Sequence, residues 1–303
     1  MADDSLLIIL GNQLFPIEEI KKLKIKKVFM KEDLGLCTDF KHHKLKILFF
    51  LGAMREYKKD LESNGIEVIY HDIDKKLFDI PYLELLEKTI KENSITKIHY
   101  FEIEDNQFAN QFSKFLKKVK ISSNEISSPM FLCGRNEFKD FFGNKPLRMV
   151  SFYQMMRKKM NVLMSDGKPI GGKWSYDSEN RKKLPKNMEI PCLPKIKYSS
   201  EYLDLKKTID FKFSNHYGEL DNSWFPINRK DALKWLDNFL IYRFHNFGSY
   251  EDAIHTDYNF IFHSALSPLL NIGLLTPLEV VNKSITYANK ENIPLNSLEG
   301  FIR

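Results

Sequence analysis

Two hydroxyl groups stand three residues apart in His263-Ser264-Ala265-Leu266-Ser267-Pro268, and another precedes proline at Thr276-Pro277. A serine or threonine directly before proline is a helix start. Its oxygen caps free backbone N–H groups, and proline fills the first turn without losing a hydrogen bond. Thr276-Pro277-Leu278-Glu279 completes a capping box. Pro268 is therefore expected to open one short helix and Pro277 another. If the turn before Pro268 is already helix-like, the hydroxyls of Ser264 and Ser267 lie near one face beside unpaired N–H groups. Such an arrangement holds a phosphate, and it also occurs where serines only cap; on the residues alone both readings stand. The other chemically capable groups are scattered. Cys37, Cys133 and Cys192 are isolated, which fits neither a disulfide framework nor a metal cluster. His42 and His43 adjoin one another at a helix start, where a structural or solvated role competes with a functional one.

The elements that must carry these groups alternate over the first half of the chain. Short apolar runs at 5–10, 26–32, 66–73 and 97–104 read as strands, with a fifth at 125–132. Between them, helical periods run over 42–65, 81–93 and 106–119. Strand, helix, strand, repeated, means parallel pairing through right-handed crossovers. The expected fold class is α/β: a doubly wound parallel sheet, a long linker, then the start of an all-α region. The boundaries read as 1–134 for the sheet domain, 135–227 for a helical connector and linker, and 228–303 for a partial helical domain. Ligands of such a sheet sit beyond the carboxyl ends of its strands. That places 11–16, 32–37 and 104–107 at the ligand-facing edge. The first turn has no G-x-G-x-x-G, so a dinucleotide fingerprint is missing.

The 303 residues include 46 Lys and Arg against 40 Asp and Glu, a net charge of +6. This permits nucleic-acid binding without arguing strongly for it, because much of the lysine lies on helical segments rich in acids. No run approaches the ~18 apolar residues of a membrane span. The start, Met1-Ala2-Asp3-Asp4, carries the wrong charge for a secretory signal, and the expectation is a cytoplasmic protein without membrane partners.

"HSALSPLLNIGLLTP" resembles the flavin-binding signature of photolyases and cryptochromes, with His263 where a threonine usually stands. "LGNQLFP", "HHKLKILFFLGAMREY", "PLRMVSFYQMMRKKMNVLM", "GGKWSYDSENRKKLP", "FGSYEDAI" and "LEGFIR" follow the same order as in one branch, the bacterial iron–sulfur cryptochromes and photolyases. The resemblance implies an antenna domain holding a ribityllumazine and a helical domain holding FAD. Its chemistry is blue-light-driven electron transfer to a pyrimidine dimer or (6-4) photoproduct in UV-damaged DNA. The lesion is flipped out of the duplex. By position, His263, Ser264, Leu266 and Ser267 would touch the FAD phosphates or ribose, with Tyr250 as an earlier contact. Gln13 and Glu32 would touch the antenna chromophore. Asn12 stands where the family usually has Asp. Trp174 and Arg181 match the linker motif and are expected to pin it.

In relatives of this type "GFIR" continues into further helices that bear most of the flavin pocket and the four cluster cysteines. The iron–sulfur cluster is accordingly not expected in this chain. No metal ligand or catalytic side chain is named, and the family's lyase activity is not expected from the chain alone. Three readings follow: a DNA photolyase active with a separately encoded C-terminal half, a blue-light photoreceptor of the cryptochrome type, or a non-catalytic antenna or nucleotide-binding remnant.

Overall fold

The structure is a computed structural model that describes residues 4–303; Asp3 and the start of the leader reading lie outside the described residues. In chain order the elements are β1 (Ser5–Ile8), α1 (Ile17–Lys22), β2 (Lys27–Lys31), α2 (Leu34–Thr38), α3 (Lys44–Ser63), β3 (Glu67–His71), α4 (Tyr82–Glu92), β4 (Lys97–Phe101), α5 (Asn106–Val119) and β5 (Ser122–Ile126). There follow α6 (Arg135–Phe142), α7 (Met149–Met160), the two-residue strands β6 (Met164–Ser165) and β7 (Lys168–Pro169), and α8 (Ser200–Lys212). The chain ends with α9 (Arg229–Tyr242), α10 (Phe244–Tyr250), α11 (Ser267–Asn271), α12 (Pro277–Glu291) and α13 (Leu295–Ile302). Two compact units are formed. One holds residues 1–130, 195–232 and 268–275, the other 131–194, 233–267 and 276–303.

The first unit is the expected doubly wound sheet, ordered β3-β2-β1-β4-β5, with every pairing parallel. β1 is central and buried on both faces, which is why it reads as an unbroken apolar run. One face packs Leu6, Ile8, Phe29 and Ile98 against Leu86 of α4 and Phe112 and Phe115 of α5. Right-handed crossovers put α3, which links β2 to β3 in the opposite direction, on the other face. The sequence expectation for the last strand falls three residues late. β5 is an edge strand paired only to β4, and its Ser122, Ser123, Asn124 and Glu125 are exposed, so it shows no apolar pattern.

Two later segments complete this unit. Residues 195–232 return to cover α3, where the ring of Tyr202 lies against Gly52 and Phe225 meets Phe49 at 4.9 Å. α3 is thus covered on two sides, which explains its apolar residues all round. Residues 268–275 dock on the loop after β1, with the Leu14 amide donating to the Ile272 carbonyl at 2.9 Å. Gly273 there has φ +83°, and a Cβ on it would stand 2.7 Å from the Phe15 ring, so only glycine serves.

The second unit is helical. Rings of Phe239, Phe244 and Phe247 surround Phe301 of α13 at 4.8–5.4 Å, beside the fully buried Trp235. α10 and α13 cross closely at Gly248, whose amide donates to Ser297 Oγ at 2.9 Å. A Cβ at Gly248 would meet the Ser297 amide nitrogen at 2.6 Å. Alanine is the better helix former by ~1 kcal/mol, yet here it must push backbone apart. Gly248→Ala is therefore expected to lower stability by about 1–3 kcal/mol, read as a drop in the urea midpoint with an unchanged slope.

Candidate functional site

In the first unit the strand order reverses direction between β1 and β4, and the crevice beyond their carboxyl ends is where such sheets bind ligands. The loop after β1 delivers Asn12 and Gln13 there, and the segment after β4 delivers Glu102 and Glu104. Gln13 is buried and donates from Nε2 to the Glu102 carbonyl at 2.9 Å and to Glu104 at 3.1 Å. Asn12 Nδ2 donates to the same Glu104 oxygen at 3.2 Å, and Ser128 Oγ to the other at 2.8 Å. Glu104 is the hub of this edge. The sequence placed 104–107 at the edge by its position after a strand but did not single out this residue. Gln13 Oε1 is buried with no hydrogen-bond partner. An unsatisfied buried acceptor costs about 1–3 kcal/mol, and it would accept an N–H from a ligand.

Beyond β2 stands Glu32, fully buried. Its Oε1 accepts from Arg55 Nε at 2.7 Å and from Tyr70 Oη at 2.8 Å. Its Oε2 accepts from Arg55 Nη2 at 3.1 Å and the Ile73 amide at 2.8 Å. All four acceptor positions are thus used within the protein. Burial opposes the charge of Arg55, but the hydrogen bond and charge of Glu32, joined by Asp74, hold its pKa above the ordinary value. Burial and then the Glu32 charge raise that of Tyr70. Nearby Cys37 is pushed up to about 12, first by burial and then by Asp33 and Glu32, which makes it an inert thiol.

In the second unit residues 263–266 form a tight turn ahead of α11, so the helix-like geometry on which the shared face of Ser264 and Ser267 depended is not present before Ser267. The His263 amide donates to the Phe260 carbonyl at 2.7 Å, and the Ala265 amide to His263 Nδ1 at 3.0 Å. Ala265 has φ +53° and Ile261 φ +42°, left-handed conformations that are uncommon for such side chains and store strain. Trp235 Nε1 donates to the Ser264 carbonyl at 3.2 Å and fixes the turn from below. Ser264 and Leu266 are buried, while His263 and Ser267 are exposed. The two serine hydroxyls therefore do not share one exposure. Tyr250 sits with its ring 5.8 Å from Phe262. α11 and α12 begin at the two expected places, and Thr276 Oγ1 accepts from the Glu279 amide at 3.4 Å.

Arg243, at the joint between α9 and α10, is the residue that sequence reasoning missed at this turn. It is fully buried. Nη1 donates to the His263 carbonyl at 3.3 Å and Nη2 to Asn238 Oδ1 at 2.8 Å, while Nε has no partner. Burial pulls its pKa down to about 10, so it remains charged near neutrality.

A separate network in this unit pins the linker. Buried Glu299 accepts from Tyr153 Oη at 2.8 Å, from the Tyr176 amide at 2.9 Å and from Arg303 Nε at 3.0 Å. Arg303 also reaches Asp177, which pairs with Arg181 at 2.8 Å. Arg157 donates to the carbonyls of Val162, Leu163 and Trp174 and lies over the Trp174 ring. Trp174 is thus held against Arg157, whereas the exposed Arg181 pairs, among the described residues, only with Asp177 four residues earlier in the same linker. Among the described residues no group of three or more His, Cys, Asp or Glu is placed to hold a metal ion, and no helix is long and apolar enough to cross a membrane.

Residues 7–225 match the family described as deoxyribodipyrimidine photo-lyase-related protein. A "(6-4) photolyase" of Agrobacterium fabrum is 31% identical over 306 residues, covering 98% of this chain and 60% of that protein. Two uncharacterized proteins of Acanthamoeba polyphaga mimivirus also match. R852 is 30% identical over 48% of this chain and 74% of its own length, and R853 is 51% identical over 18% and 43%. A bacterial class III photolyase from Agrobacterium tumefaciens shares the fold, with a TM-score of 0.55 at 15% identity over 98% of this chain and 55% of that one. The chain thus spans about 60% of the length of the curated photolyase it matches.

The Glu32–Arg55 pair lies within the family-matched stretch, and its energetics are open to measurement. Glu32→Ala would leave Tyr70 Oη and the Ile73 amide without their acceptor and Arg55 with Asp74 alone, and is expected to cost about 3 kcal/mol. A double-mutant cycle with Arg55→Ala, followed by urea denaturation, should show the two losses to be far from additive.

Proposed function

Because the chain belongs to the deoxyribodipyrimidine photo-lyase-related family, we propose that it supplies the antenna domain and the phosphate-holding part of the flavin domain of a light-dependent DNA-repair protein that acts on (6-4) photoproducts. The observation that carries this reading is the 31% identity to a (6-4) photolyase, which extends over 98% of the chain. Bound FAD would supply the light-driven electron to the lesion.

The donor set of the turn suits the phosphates of that cofactor. His263 uses Nδ1 to accept from the Ala265 amide, which leaves the neutral ring its proton on Nε2, at an exposed position, for donation to a phosphate oxygen. Ser267 offers an exposed hydroxyl on the same short segment. Ser264 and Leu266 anchor the turn, the first through its carbonyl on Trp235 and the second by burial. Tyr250 would line the approach. In the sheet unit Gln13 would accept an N–H of an antenna chromophore, a ribityllumazine on the family resemblance, through Oε1. Glu32, its acceptors all engaged, would act on the chromophore by holding Arg55 and Tyr70 in place.

The remaining walls of the flavin pocket would come from a further polypeptide segment, for which we propose a separately encoded C-terminal half. The chain alone would then bind FAD through its phosphates and leave lesions unrepaired. FAD should bind the chain with a dissociation constant of roughly 10 μM to 1 mM, and His263→Ala or Ser267→Ala should weaken it about threefold to thirtyfold. Titration calorimetry reads both, and the absence of saturable FAD binding would sink the proposal. Together with the polypeptide encoded immediately downstream, the chain should remove (6-4) lesions from an oligonucleotide under blue light only. Flavin loading without lesion loss would point instead to a photoreceptor.

A further inference from the structure

A charged side chain taken wholly out of water is costly unless an opposite charge or a full set of acceptors meets it. Among the described residues the other deeply buried charged side chains meet this demand. Glu32 has Arg55, Glu299 has Arg303 and two further donors, Lys31 has Asp33 at 2.8 Å, and Arg157 has three carbonyls. Arg243 does not. It has one carbonyl, one amide oxygen and an Nε with no partner, and among the described residues no carboxylate pairs with it. The His263 carbonyl it holds belongs to the turn that carries the exposed His263 ring and Ser267. Glu251, whose pKa is raised first by burial and then by the charge of Asp252, feels the charges of His263 and Arg303, and among the described residues no ion pair joins it to Arg243. The protein thus keeps a positive charge behind the 263–267 turn without neutralising it.

We propose that Arg243 is the buried counter-charge for the diphosphate of the cofactor at this turn, selecting a dianionic ligand over an uncharged nucleoside. The inference rests on the flavin reading above and adds to it the source of charge recognition. Arg243 stands behind the turn and does not touch the ligand directly. It acts through the field of its guanidinium, little screened in the interior, and through the His263 carbonyl that it fixes. Ligand binding completes a charge pair left half-built in the free protein.

The test compares the full chain with its Arg243→Met and Arg243→Lys variants, titrated with FAD, ADP and adenosine. Arg243→Met should weaken FAD and ADP by roughly tenfold or more and leave adenosine within about twofold. Its ligand-free melting temperature should not fall, because an unpaired buried charge has been replaced by an apolar side chain of similar length. Arg243→Lys keeps the charge and should stay within about threefold of the wild type for FAD. Wild-type affinity for FAD and ADP in Arg243→Met would overturn the inference while the flavin reading stands. Equal losses for adenosine and ADP in both variants would also overturn it, since they would show a scaffolding role. Failure of the unaltered chain to bind FAD would overturn the flavin reading itself, and this inference with it.

Discussion

Buried polar groups must be matched, and that demand organises both units more firmly than any single apolar contact. Glu32 makes four hydrogen bonds, and the donors come from α3, β3 and the loop after β3, so one carboxylate ties three parts of the sheet unit together. Glu299 does the same in the helical unit, drawing α7, the linker at Tyr176 and the last residue of the chain onto α13. Each gives geometric definition that an apolar contact lacks, because a hydrogen-bonded charge tolerates little displacement. Among the described residues five buried side-chain atoms lack a partner, Gln13 Oε1, His71 Nε2, Tyr82 Oη, Arg243 Nε and Ser284 Oγ, and two of them lie at the candidate sites. Gln13 Oε1 lies at the strand-reversal edge of one unit, and Arg243 lies behind the hydroxyl-rich turn of the other. Both positions are ones where a ligand, rather than the chain, would complete the set.

The fold was legible where burial imposes a period. β1 to β4 and the helices between them follow from apolar runs and from spacings of three and four, and the start of α12 from Thr276-Pro277. β5 was misplaced because an exposed edge strand of Ser, Asn and Glu carries no such signal. α8 escaped for another reason. Its buried Tyr202, Leu205 and Ile209 do recur at helical spacing, but they follow a long stretch of proline and charge that gives no boundary before Ser199. Nothing local announces that residues 195–232 return to α3, since that contact is set by the fit of Tyr202 on Gly52.

The site was legible in part. Gln13 and Glu32 are named by the family resemblance together with their places near strand ends, and the 263–267 turn by its residue types and its likeness to a known signature. The internal engagement of Glu32 could not be anticipated, because Arg55 and Tyr70 are distant in sequence and their meeting depends on β2 pairing with β3 in register. Arg243 was invisible for a plain reason. An arginine at the end of a helix is normally solvated, and only the packing of the turn over it reveals one that is not.

The docking of residues 268–275 on the loop after β1 bears on how the protein is made. During synthesis β1 and its loop leave the ribosome early, but the Ile272 carbonyl that caps the Leu14 amide follows roughly 250 residues later. At about 5–20 residues per second, Leu14 and Phe15 wait on the order of tens of seconds for their cover. The sheet can form in that interval, but its ligand-facing corner stays open. A nascent chain of this architecture therefore exposes an apolar loop to chaperones and to other nascent chains until residues 268–275 have emerged to cover it.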